Sequence, residues 1–289
     1  MAVTLTPAGG PTKLARVIWR RSLTRAARRG FAASVHRVLS AAQRHGVQFQ
    51  SPVLRLDRHY DAAVVATMRA VAPYTMTPPA RLVALQDAVA YVVAARIPGA
   101  IVECGVWRGG SMMAISRALL ELGAADRELW LYDTFEGMTE PGEHDRTADG
   151  RAADTWISNE RSTPTGATTG VFGASQAEVG ANLARTGYPP SLLRFVQGPV
   201  EETLLVDRPQ QLALVRLDTD FYESTRAELE ALYPLLAPGG VLILDDYGYW
   251  LGARRAVDEY FRDNPALLLR IDGSARIIIK PAMGLGASN

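Results

Sequence analysis

The stretch "LALVRLDTDFYESTRAELEALYPLLAPGGVLILDD", residues 212–246, decides the fold. An apolar run over 212–218 ends on Asp218. A stretch with helical spacing follows over 224–236 and is stopped by Ala-Pro-Gly-Gly. A second apolar run, 241–246, then ends on Asp245 and Asp246. Neither run alternates polar with apolar residues. Strands of this kind are apolar on both faces and belong to parallel sheets covered by helices on both sides.

The same rhythm extends outward in both directions. "AIVECG" (100–105), "LWLYD" (129–133) and "LLRFVQG" (192–198) read as further strands, with helical patterns at 111–122, near 176–185 and at 253–264. The last two apolar runs, 267–271 and 275–280, are joined by Asp-Gly-Ser. That link is too short for a parallel crossover, so this pair is antiparallel. The expected architecture is α/β: a doubly wound, mostly parallel sheet of seven strands with the last one antiparallel, plus N-terminal helices.

Ligands of such sheets bind at the carboxyl ends of the strands, near the point where strand order reverses. Glu103, Gly105, Asp133, Gly198, Asp218, Asp245 and Asp246 therefore share one rim. "ECGVWRGGSMMAIS" (103–116) joins a strand to a helix through Gly105, Gly109 and Gly110. Glycines let backbone approach a ligand closely, and a helix start offers free N–H groups to an anion. Ser111 is the candidate cap of that helix. The spacing is not the dinucleotide fingerprint, and no Lys follows the glycines as a phosphate loop requires. Asp133 stands where nucleotide-binding folds place the acid that accepts ribose hydroxyls; the competing reading is a turn cap.

Adjacent Asp245 and Asp246 repel, and Asp218 lies 27 and 28 positions before them at the end of the preceding strand, so the three converge if those two strands are neighbours. Three converging carboxylates raise one another's pKa unless a cation joins them. An oxygen-only set without a His or Cys pattern favours Mg²⁺ or a similar hard ion. The alternative is that Asp246 caps the following segment and Asp218 faces solvent. Asp220 ranks behind these three because it lies past the strand end. Of the four histidines, His144 in "TEPGEHDRTADG" alone follows a strand end, which makes it the candidate general base. Residues 136–190 hold a long connection rich in Gly, Ser and Thr at 162–175. Such length points to a lid or to a disordered insertion.

Composition sets outer limits. The chain has 289 residues, 48% hydrophobic and 21% charged, enough for a sizeable core. Cys104 is the one cysteine, which excludes an internal disulfide and fits a cytoplasmic setting. No apolar stretch reaches membrane-spanning length, and the N-terminus lacks the apolar core of a secretory signal. Residues 1–56 carry ten Lys/Arg and no Asp or Glu; the rest carries 21 basic and 30 acidic residues. The leader fits a helix packed on an acidic neighbouring subunit in a homo-oligomer, an anionic surface contact, or a solvated tail. Its sparse aromatics form no stacking series, which argues against nucleic acid. The division expected is a basic helical extension over 1–79 and a catalytic domain over 80–289.

At "VECGVWRGGS" (102–111), "YDTFEGM" (132–138), "LVRLDTDFYESTRAELEALYPLLAPGGVLILDDYG" (214–248) and "ARRAVDEYF" (253–261) the sequence resembles the macrocin O-methyltransferase family, metal-dependent sugar methylases of natural-product tailoring. The resemblance implies a class I methyltransferase, Rossmann-like fold, S-adenosylmethionine as donor and Mg²⁺ as substrate clamp. It implies Asp218, Asp245 and Asp246 as metal ligands. Asp133 and Thr134 would hold the cofactor ribose, and Gly105–Ser111, with Glu103, Gly110 and Gly198 nearby, would lie along the rest of the cofactor. The implied base is His144 or Asp218, and the implied acceptor a sugar-containing small molecule. The Asp218-Thr219-Asp220 triplet differs from the D-G-D of some members. Alternative acceptors are a catechol-like phenol or a lipid-linked glycan. A non-catalytic cofactor-binding module and a nicotinamide dehydrogenase are the readings from other classes.

Overall fold

The computed structural model describes residues 60–155, 157 and 172–281. The basic leader and most of the Gly/Ser/Thr-rich stretch lie outside the described residues. Among those described, no helix is long and apolar enough to cross a membrane.

Helix α1 (Ala62–Val71) leads through a 3-10 turn (Ala72–Tyr74) into α2 (Pro79–Ala94). Then follow β1 (Ala100–Cys104), α3 (Gly110–Glu121) and β2 (Leu129–Asp133). After the long connection come α4 (Gln176–Ala184), β3 (Leu193–Gln197), α5 (Val200–Val206) and β4 (Leu212–Leu217). The chain continues with α6 (Tyr222–Leu232), β5 (Leu236–Leu244), α7 (Leu251–Tyr260), β6 (Leu269–Arg270) and β7 (Arg276–Ile279).

The seven strands form one sheet in the order β3-β2-β1-β4-β5-β7-β6. Strands β1 to β5 pair in parallel, and β7 is antiparallel to both β5 and β6. The seven-stranded expectation with an antiparallel last strand therefore holds. Strand order reverses between β1 and β4, which makes the carboxyl ends of these two neighbours the crevice of the fold.

Successive strand residues point to opposite faces, and two cores result. Ile101, Leu131, Leu214 and Ile243 pack with α1 to α4 on one face. Val102, Tyr132, Val215 and Leu244 pack with α5, α6 and α7 on the other. Val65, Met68 and Val71 of α1 belong to the first core, and the compact unit holding the sheet begins at Asp57. Helix α1 thus packs with the sheet, which buries its apolar side.

Candidate active site

A cavity of about 470 Å³ opens at the carboxyl ends of the strands. Six of the seven residues expected on one rim line it, Gly105, Asp133, Gly198, Asp218, Asp245 and Asp246, together with Gly110, Ser111 and Thr134.

The glycines are there for steric reasons. Gly105 has φ +79°, and a Cβ on it would stand 2.1 Å from the backbone oxygen of Asp218. The first turn after β1 and the end of β4 can touch only through a residue without a side chain. At Gly110 a Cβ would lie 2.5 Å from the Tyr74 carbonyl, so the segment before α2 closes directly over the start of α3. The cap of α3 is Gly109 in the left-handed conformation, with no side-chain cap. Ser111 is thus not the cap expected from sequence. It sits inside the first turn, where its hydroxyl lies 3.4 Å from that of Thr77. An uncapped first turn leaves N–H groups for an anionic ligand group. Asp133 Oδ2 accepts from Val106 N (2.6 Å) and Trp107 N (3.0 Å), and Oδ1 accepts from Phe135 N (2.8 Å). These bonds hold the two turns in place. Trp107, Phe135 and Asp220, one after each of β1, β2 and β4, all have positive φ. Strain gathered at one end of a sheet is a mark of a functional site.

Side-chain alternation explains the charges. Glu103, Asp133, Arg216 and Asp245 each stand two positions after Ile101, Leu131, Leu214 and Ile243, so they emerge on the α2–α3 face. Glu103 and Arg216 are direct register partners on β1 and β4. Arg216 is 2% exposed and Glu103 1%. Arg216 Nη1 lies 2.5 Å from Glu103 Oε1 and 2.8 Å from Asp218 Oδ2. Its Nη2 lies 2.9 Å from Asp245 Oδ1 and donates to Thr77 Oγ1 at 3.1 Å. Arg81 of α2 pairs with the other Asp245 oxygen and, at 2.7 Å, with Asp272. Burial pushes the Glu103 carboxyl up to about 7, against the pull of Arg216. Glu103 is accordingly not among the cavity-lining residues. Glu103 was expected to contact a cofactor; here its side chain is buried against Arg216.

Oxygens of Asp218, Asp245 and Asp246 lie within 4.8 Å of one another. Burial raises the Asp218 and Asp246 carboxyls well above the usual range, and mutual repulsion adds to it. Asp246 Oδ2 is buried without a hydrogen-bond donor, and Asp245 Oδ1 meets Arg216 outside hydrogen-bond alignment. Such a donor set fits a hard divalent cation, whose charge would satisfy the orphaned oxygens. Asp220 also lines the cavity; burial pushes its carboxyl to about 7, while hydrogen bonds involving Trp250 and Asp246 pull the other way.

His144 is elsewhere. It does not line the cavity. Its ring meets Tyr222 edge-on at 4.8 Å and lies 3.0–3.2 Å from Arg255 Nη1. The neighbouring Asp145 holds this loop in place, accepting from Tyr222 N at 2.8 Å and Gly142 N at 2.7 Å. Fixed at the start of α6, the loop turns His144 toward α7. Sequence reading underrated Asp220 and missed Arg216 and Thr77. The signal for Arg216 was available: a charged residue inside a strand buried on both faces requires carboxylate partners.

A doubly wound sheet in the order β3-β2-β1-β4-β5-β7-β6 with β7 antiparallel, and a glycine turn and acidic strand end at its switch point, is the architecture of class I methyltransferases. Within that class, the chain belongs to the macrocin O-methyltransferase (TylF) family, which it matches over residues 23–276. It is 40% identical over 187 residues to a tetracenomycin 4'-O-methyltransferase of Streptomyces olivaceus, covering 65% of this chain and 67% of that one. Demethyldecarbamoylnovobiocin O-methyltransferase of Streptomyces niveus is 34% identical over the same coverage. The solved O-methyltransferase NovP is 32% identical with a TM-score of 0.63, covering 72% of this chain and 83% of that chain. The protein is thus an S-adenosylmethionine-dependent O-methyltransferase. The readings as a dehydrogenase or a non-catalytic module fall away.

Proposed function

We propose that the enzyme methylates a hydroxyl of a sugar carried on a natural-product scaffold, with a divalent cation, Mg²⁺ in the cell, at Asp218, Asp245 and Asp246. The observation that carries this is the meeting of those three carboxylates in the cavity lined by the glycine turn. The S. olivaceus relative is named for a dimethoxy-rhamnosyl acceptor, which supports a sugar hydroxyl over a catechol-like phenol or a lipid-linked glycan.

The donor would lie along Gly105–Ser111, its ribose toward Asp133 and Thr134 and its flank toward Gly198. The bound cation would lower the pKa of the acceptor hydroxyl and orient two neighbouring oxygens. Asp220 takes the hydroxyl proton: it lines the cavity beside the three-carboxylate cluster without belonging to it. The acceptor oxygen forms its bond to the methyl carbon as the carbon–sulfur bond breaks, leaving a neutral thioether. Met76, Met138 and Tyr249 line the same cavity and supply apolar surface for the scaffold that bears the sugar.

The test is methyl transfer to a panel of glycosylated acceptors, with EDTA, with Mg²⁺ restored, and with Asp245→Asn and Asp220→Asn. Loss in EDTA, recovery with Mg²⁺ and loss in both variants are expected. Undiminished turnover in EDTA would sink the cation, and undiminished turnover in Asp220→Asn would sink the base.

A further inference from the structure

We infer that Thr77 and Arg216 form a positioning relay, through which a bound cofactor sets the carboxylates that hold the cation. The inference rests on the divalent-cation reading above and deepens it.

Thr77 lies on the irregular segment between the 3-10 turn and α2, which lines the cavity beside the start of α3. One side of its hydroxyl faces Ser111 of α3 at 3.4 Å. The other accepts from Arg216 Nη2 at 3.1 Å. The same nitrogen lies 2.9 Å from Asp245, and Nη1 lies 2.8 Å from Asp218. Glu103, buried beside it, meets the same Nη1 at 2.5 Å.

A guanidinium is planar and presents its donors in a rigid fork. It cannot turn toward Thr77 without carrying Nη1 and Nη2 with it, so the placement of Thr77 and of two carboxylates is one geometric variable. The wall has no regular hydrogen-bonded structure over residues 75–78. Its internal support here is the Thr77 N–H donating to Thr75 Oγ1 at 3.0 Å. A cofactor seated in the cavity against residues 75–78 restrains Thr77, and Arg216 then holds Asp218 and Asp245 where the cation needs them. Ordering done by the first ligand is not repeated for the second. The effect must be mutual: a bound cation tightens cofactor binding by the same factor.

The experiment uses the full chain with Mn²⁺ as a spectroscopic probe and S-adenosylhomocysteine as a non-reactive cofactor. Free Mn²⁺ is followed by electron paramagnetic resonance, and S-adenosylhomocysteine affinity by calorimetry. In the wild type each ligand is expected to tighten the other by about fivefold or more, the usual size of coupling between sites. Thr77→Val, which keeps the shape but loses the hydroxyl, is expected to bring that factor close to one. Thr77→Ser is expected to keep it, a rescue that general loosening of the wall does not produce. A wild-type factor of one, or a Thr77→Val factor equal to wild type, overturns the relay while leaving the cation reading intact. Failure of Mn²⁺ to bind with or without S-adenosylhomocysteine overturns the cation reading and the relay with it.

Discussion

Replacing Arg216 with Met tests the electrostatic logic of the whole site. The new side chain is unbranched and apolar, so the volume is roughly kept while the charge goes. Three carboxylates then lose their shared partner: Glu103, Asp218 and Asp245. Removing one member of a buried ion pair costs about 3–5 kcal/mol, because the remaining charge stays desolvated. Glu103 makes that cost pH-dependent. In the wild type its folded pKa is raised from 4.5 to about 7. Between those values the folded state holds a proton that the unfolded state has lost. Stability therefore falls as pH rises through that window, by about 3 kcal/mol for this group. Without Arg216 the Glu103 carboxyl rises further, and the decline continues above pH 7. Urea unfolding of both proteins in EDTA, at pH 5 and pH 8, is the assay. The expected loss for Arg216→Met is about 3–5 kcal/mol at pH 8. It shrinks at pH 5, since Glu103 is then protonated in both proteins and only the pairs with Asp218 and Asp245 are lost. A loss under ~1 kcal/mol at pH 8, or one of equal size at both pH values, would refute the reasoning. Adding Glu103→Gln should recover part of the loss at pH 8, a coupling that independent residues do not show.

Three further outcomes follow from the geometry. Gly105→Ala combines left-handed backbone strain of about 1–2 kcal/mol with a Cβ 2.1 Å from the Asp218 carbonyl. Because that clash displaces Asp218, kcat/KM should fall by a larger factor than the strain alone explains, with urea midpoint and kinetics measured on one preparation. Asp145→Ala leaves the N–H groups of Tyr222 and Gly142 without their acceptor and should cost about 1–3 kcal/mol in urea unfolding. Burial pushes the Cys104 thiol well up, so the native enzyme should resist Ellman's reagent at pH 8 and yield one thiol only on denaturation.

The strands were readable because β1, β2, β4 and β5 are short apolar runs closed by a carboxylate or a glycine, a pattern that needs no knowledge of distant contacts. The rim followed from that, and so did the convergence of Asp218, Asp245 and Asp246. What sequence could not convey was the partner of each side chain. Glu103 and Asp133 both fall at the ends of apolar runs, yet one turns into a buried pair with Arg216 and the other binds the turn backbone. The two share one face of the sheet and differ in depth: Glu103 lies inside β1 opposite Arg216, whereas Asp133 is the last residue of β2. Ser111 lost its capping role to Gly109 because a left-handed glycine ends the turn two positions earlier than the side-chain rule supposes. His144 was placed by its distance along the chain from β2. Its actual surroundings, Tyr222 and Arg255, come from helices about 80 and 110 positions later, and no local pattern announces such partners. The basic leader and the centre of the expected lid lie outside the described residues.

Arg216 and Asp245 stand on one face of the sheet only because each sits an even number of steps from an inward-facing aliphatic residue. A single-residue deletion inside β4 would swing Arg216 to the α5–α7 side and set an aliphatic side chain against Glu103. Variation among enzymes built this way is thus channelled into the connections beyond the strand ends, where length can change freely. The strands themselves are locked to a reading frame as strict, in its own terms, as that of the gene.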